Sequence, residues 1–182
     1  MERSMQDHAL PGSSTALSEL LDRFDAYADA RLQFLSQLKQ DSSCRDPLAE
    51  FSEVLVAELL RATPARSRVQ KGYDLIRPGG GFVQVKYLAN PQTGWINWHH
   101  VQFADGVEEC ALVVFVAMQL KAVFLFSRKT IAETCRLLGK RHPNQDVSLQ
   151  ITKRNYETML AEPARFQSLG IGIFDFRNRA SR

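Results

Sequence analysis

"GYDLIRPGGGFVQVKYL", residues 72–88, reads as two short apolar strands joined by a glycine turn. The strands are expected near 73–77 and 82–88, with Pro78–Gly81 making the turn. Side chains on a strand alternate faces, so Gln84 and Lys86 point one way and Val83, Val85 and Tyr87 the other. Asp74 is the only acid in the stretch. It lies on the preceding strand, where it can approach the Gln84 face across the turn. One carboxylate, one amide oxygen and one ammonium thus converge at a strand's edge. Hard divalent cations such as Mg²⁺ take oxygen ligands, often one or two carboxylates completed by water and substrate phosphate. A lysine beside such an ion can hold an attacking water or offset charge on phosphate.

A second carboxylate has to come from elsewhere, and the segment before the hairpin offers candidates. Asp46 as N-cap and Pro47 at the first helical position begin a helix that runs to about Arg61. At about 100° per residue its apolar face centres on Leu48, Phe51, Leu55 and Leu59. Glu53 sits beside Val56 and Leu60, at the border of that face, whereas Glu50 points to the polar side. Glu53 is the acid best placed to reach a metal at the core's edge.

Together these residues resemble the PD-(D/E)XK nuclease superfamily, in the QxK variant known from Mrr-like restriction enzymes. The similar pattern is a helix glutamate (Glu53), a "YDL" strand (Asp74) and a "VQVK" strand (Gln84, Lys86), followed by buried strands such as "ALVVFVAM". It spans residues 46–136. The resemblance implies a restriction-endonuclease-like fold, in which a mixed central β-sheet is flanked by helices, and Mg²⁺-dependent hydrolysis of phosphodiester bonds, with Mn²⁺ as a possible substitute. It makes Asp74 the central metal ligand, Gln84 the atypical one, Glu53 an auxiliary ligand and Lys86 the catalytic lysine. Most members carry Asp or Glu where this chain has Gln84. The expected activity is a DNA endonuclease in restriction or related defence, with RNA as an alternative substrate. The non-enzymatic alternative is an inactive nuclease-fold subunit that binds DNA or a protein partner.

Upstream, residues 1–14 are polar and expected to be disordered, and an amphipathic helix begins at Ser14 or Thr15. Leu17, Leu21, Phe24, Ala28, Leu35 and Leu38 give it an apolar face, which makes 15–45 a helical extension to a nuclease-like domain over 46–182. Such a face needs a partner, and a double-strand break needs two sites, so a homodimer or a complex with a recognition subunit is expected. Downstream, "ALVVFVAM" and "KAVFLFS" read as buried central strands. "RKTIAETCRLL" reads as a helix, "VSLQI" as a strand, residues 153–169 as helical pieces broken at Pro163, and "IGIFDF" as an edge strand.

Charge is uneven. Residues 1–60 balance to −6 and residues 61–182 to +9. A basic body suits a polyanion, and Arg66, Arg68, Lys71 and Arg77 flank the proposed centre as phosphate contacts. His99 and His100 are adjacent, so they make a poor metal pair, but they could touch DNA together with Trp95 and Trp98. Lys140, Arg141, Lys153 and Arg154 form a second basic set. "GGGFVQVK" lacks the flanking residues of a phosphate loop. No run reaches the ~18 apolar residues of a membrane span, and the opening "MERSMQDHALPGSS" has no apolar run of a signal peptide. Cys44, Cys110 and Cys135 form no CxxC pair. A cytoplasmic location without disulfides is expected.

Overall fold

The structure is a computed structural model that describes residues 15–40, 45–65, 72–92, 94–97, 99–139 and 148–178. The chain divides into two compact units, Met1–Pro47 and Leu48–Arg182. The first holds α1 (Thr15–Gln37). It ends where Lys39 turns left-handed (φ 56°) and the Gln40 N–H donates to the Leu35 carbonyl at 2.9 Å. Leu21, Phe24 and Tyr27 on this helix are exposed.

In the second unit α2 (Pro47–Leu60) leads into a six-stranded sheet ordered β1-β2-β3-β5-β6-β8. Its strands are β1 (Thr63–Pro64), β2 (Leu75–Ile76), β3 (Phe82–Asn90), β5 (Glu109–Val116), β6 (Gln119–Ser127) and β8 (Gly172–Asp175). β3 and β5 pair in parallel; the other neighbours are antiparallel. A separate ladder joins β4 (His99–Gln102) to β7 (Ser148–Ile151). The helices that follow β6 are α3 (Ile131–Leu137), entered through a 3₁₀ turn, then α4 (Lys153–Ala161) and α5 (Pro163–Gln167).

The β5 and β6 runs are apolar on both sides because both sides are covered, and Cys110–Val114 are fully buried. On one face Val83, Val85, Ala111 and Val113 pack with Val56 and Leu60 of α2. On the other Leu88, Leu112, Val114, Phe124 and Phe126 pack with α3, α4, α5 and the β4–β7 ladder. The result is a mixed α/β architecture with a central sheet between helical layers. Thr152 caps α4 in a reciprocal capping box with Asn155.

Two strands have no counterpart in the sequence reading. The stretch after α2 reads as a basic connector, yet Thr63 and Pro64 pair with Ile76 and Leu75. A proline fits there because β1 is the sheet's edge, where no ladder needs its N–H. β4 lies in a segment read as irregular, and its partner β7 comes far later in the chain. A four-residue strand paired at that distance leaves no local periodicity to read.

Candidate active site

The β2–β3 ladder is short: Ile76 pairs with Phe82 and Leu75 with Val83. Its turn closes through Arg77 N–H to the Gly81 carbonyl at 2.8 Å, and Gly79 and Gly80 take φ of 98° and 103°, which residues with side chains rarely adopt. One step beyond the ladder stands Asp74, opposite Gln84 in continued register. There the pairing changes character. The Val85 N–H donates at 2.7 Å to Oδ2 of Asp74, so a side chain takes the place that a strand carbonyl would fill. The Asp74 N–H and carbonyl remain tied to Val83 and Ala65, at 2.9 Å each. The residue is therefore held at three points, two through its backbone and one through a carboxylate oxygen anchored to β3.

Gln84 and Lys86 stand in register with Cys110 and Leu112 of β5. They share the face of Leu88, while Val83, Val85 and Tyr87 pack on the α2 side. Continued register sets Asp74 opposite Gln84, two residues from Lys86 on the same strand face, so the three form one patch. Cys110 lies alongside: burial pushes its thiol up to about 12, Lys86 pulls it down and Asp74 pushes it further up. All three are half-buried. Among the described residues, Lys86 has no carboxylate partner and the Gln84 amide has no hydrogen-bonding group. Half-buried polar groups are normally satisfied within the protein or by what binds there.

Glu53 is half-buried on α2, the helix whose Val56 and Leu60 pack on the other face of β3. The same helix corrects the reading of Glu50. Glu50 is only 1% exposed, and Ser52, Val56 and Leu60 are the other deeply buried positions. Leu48, Phe51, Leu55 and Leu59 are partly buried against the same cluster, so the covered face overlaps the one hydrophobicity suggested and is rotated from it toward Ser52, Val56 and Leu60. An acid beside apolar neighbours is a weak sequence signal, and Glu50 was legible only as a polar residue.

Of the expected phosphate contacts, Arg66, Arg68 and Lys71 lie outside the described residues, as do Trp98, Lys140 and Arg141. Arg77 has partners the sequence did not show: its Nε pairs with Glu109 at 3.1 Å and its Nη1 donates to the Leu60 carbonyl at 3.3 Å. It thereby closes the carboxyl end of α2. His99 is half-buried in β4, whereas for His100 only the backbone is described. Trp95 packs against Tyr156 at 5.3 Å between ring centroids.

Among the described residues no group of three or more His, Cys, Asp or Glu side chains is gathered for a metal ion. The donor set at the patch is one carboxylate and one amide oxygen. That set suits a cation which keeps much of its water, as Mg²⁺ does, and does not suit a cage of protein ligands. No protein-family model and no curated protein sequence matches the chain.

Proposed function

We propose that the protein is a metal-dependent endonuclease acting on DNA, with a restriction-endonuclease-like fold and a place in restriction or related defence in the cytoplasm. The observation that carries this reading is the patch itself: Asp74, Gln84 and Lys86 on one face, where β2 ends and β3 continues. Asp74 and Gln84 would hold Mg²⁺, or Mn²⁺ in its place, with Glu53 as the acid nearest the edge. The ion, when bound, supplies Lewis-acid polarisation of a phosphate oxygen. Asp74 is oriented by the Val85 N–H, so its second oxygen is presented without a rotamer search. Lys86, without a competing carboxylate, sets a full positive charge where a phosphodiester gains negative charge in reaction. It can also hold a water in line for attack. Among the described residues no helix is long and apolar enough to cross a membrane.

The test is a plasmid-cleavage assay with Mg²⁺, Mn²⁺ or EDTA. Cleavage should need the metal, vanish in Asp74→Ala, and fall by at least about 100-fold in Lys86→Ala with the fold intact. Near wild-type cleavage by Lys86→Ala would show that the site is wrongly assigned. A second reading has its own support, since Gln84 is neutral and Glu53 stands on the helix that packs on the other face of β3. In that reading the fold binds DNA or a protein partner without cutting. Metal-independent binding with no cleavage under any condition would select it.

A further inference from the structure

On the Lys86 side of the sheet, at the other end of β3, lies an open pocket of about 330 Å³. Pro91, Gln92 and Gly94 form one wall, and α4 contributes Lys153, Tyr156 and Glu157. Trp95, Lys121 and Arg177 complete it with Val116. The volume lies near the lower end of the range for small-ligand clefts, about 300–1,000 Å³. Nothing in the proposed cleavage chemistry uses it.

Its lining combines two features. The first is aromatic. Trp95 and Tyr156 lie 5.3 Å apart with rings tilted by 31°, a loose stack on the pocket wall. The indole Nε1 is buried and meets no acceptor. A donor so placed is open to an incoming flat group with acceptor edges. Asn90 holds the loop that carries this tryptophan. Its Oδ1 accepts from the N–H groups of Ile96 (3.0 Å) and Asn97 (2.7 Å).

The second feature is charge. Arg177 is neutralised by paired bonds to Asp175, the shorter at 2.7 Å. Lys153 lies 3.7 Å from Glu157, one helical turn on. Lys121 is different: its ammonium donates only to the neutral Gln119 amide, at 2.7 Å. Among the described residues it is the lining cation without a carboxylate partner. A planar group would therefore find a stacking wall and, beside it, one unneutralised cation.

We infer that this pocket takes one unstacked nucleotide, its base against Trp95 and Tyr156 and its phosphate at Lys121. The inference rests on the nucleic-acid reading above and adds a second point of contact to it. Asn90 stands four residues beyond Lys86 along β3, or about 13 Å at the rise of a strand. That is about four base steps of duplex at 3.4 Å per step. A nucleotide displaced there would belong to the strand whose backbone runs past Lys86.

The test uses the full chain in EDTA, so that nothing is cut. The probe is a single-stranded oligonucleotide with one 2-aminopurine and a separate end label. Anisotropy of the end label reads binding, and 2-aminopurine emission reads stacking. Binding should come with strong quenching. Trp95→Ala should weaken affinity by about 5- to 150-fold and abolish the quenching, while Trp95→Phe should retain part of both. Lys121→Ala should lower the salt slope of log affinity by about one. Binding without quenching, or quenching indifferent to Trp95→Ala and Trp95→Phe alike, would overturn the pocket and leave the nucleic-acid reading standing. No binding by anisotropy would also overturn the pocket, while the nuclease reading stands or falls separately by the plasmid assay. A 2-aminopurine deoxynucleoside monophosphate that binds as tightly as the oligonucleotide would overturn the assignment to a strand and indicate a free nucleotide.

Discussion

A glutamine at position 84 brings an oxygen donor without a charge, so the patch sets the Asp74 carboxylate against the Lys86 ammonium. Divalent affinity follows the number of ligand charges. Gln84→Glu should therefore bind Mg²⁺ about tenfold or more tightly by calorimetry. Without metal, the same variant should melt earlier, because two carboxylates would face each other across the ladder. Beneath them, Cys110 offers a probe of the patch from inside. Its thiol is raised in the folded chain to about 12, from an ordinary 9.0. Folding then keeps a proton that the unfolded chain gives up, so stability is full below pH 9 and falls as pH rises toward 12. Denaturation midpoints measured across that window should fall less steeply in Cys110→Ala than in wild type. Iodoacetamide at pH 8 should label Cys110 only after unfolding. The shared face of Gln84 and Lys86 was legible because a strand's period is two, and the glycines fix where it turns. The partners of Arg77 were not: a basic residue near a site looks the same in sequence whatever it meets, here Glu109 and the Leu60 carbonyl.

Between strands and helices, the joints carry strain that side chains could relieve. β5 and β6 meet through a two-residue turn, Ala117–Met118, with φ of 50° and 61°. Both residues sit where a Cβ is disfavoured by about 1–2 kcal/mol, and Asn-Gly is the pairing such turns prefer. Ala117→Asn with Met118→Gly should raise the unfolding free energy by about 1 kcal/mol in urea titration. Arg61 ends α2 in the same left-handed region, with the Ala62 N–H bonded back to the Ala57 carbonyl at 2.9 Å. Arg61→Gly should stabilise by a similar margin, about 0.5–1 kcal/mol. The sequence announced other joints: Pro47 opens α2, Pro163 separates α4 from α5, and residues 78–81 turn the hairpin. It was silent at Ala117–Met118, which read as strand, and at β4, where pairing is remote. On α2 the Leu48–Leu55 side does meet the core, but the most buried line runs through Ser52, Val56 and Leu60.

For the whole molecule, the open question is assembly. α1 carries Phe24 at 61% and Leu21 at 50% exposure, an unusual load for a helix in water. We propose that the full chain forms a homodimer or joins a recognition subunit through this helix, and that a chain beginning at Asp41 does not. Light scattering on both would test it; monomers from both, still making double-strand breaks at high dilution, would refute it.

The β4–β7 ladder has a consequence in time. In the sequence Ile151 follows Gln102 by 49 positions. On a ribosome adding about 5–20 residues per second, β4 must wait roughly 2–10 s for the strand that completes it. Through that interval the nascent chain already holds all of β2 and β3, and hence Asp74, Gln84 and Lys86. Yet the layer over their face is unfinished until β7 and α4 arrive. A chain whose translation stops before Ser148 would present Asp74, Gln84 and Lys86 on an uncovered sheet. The order of synthesis therefore puts this polar patch first and its shelter last.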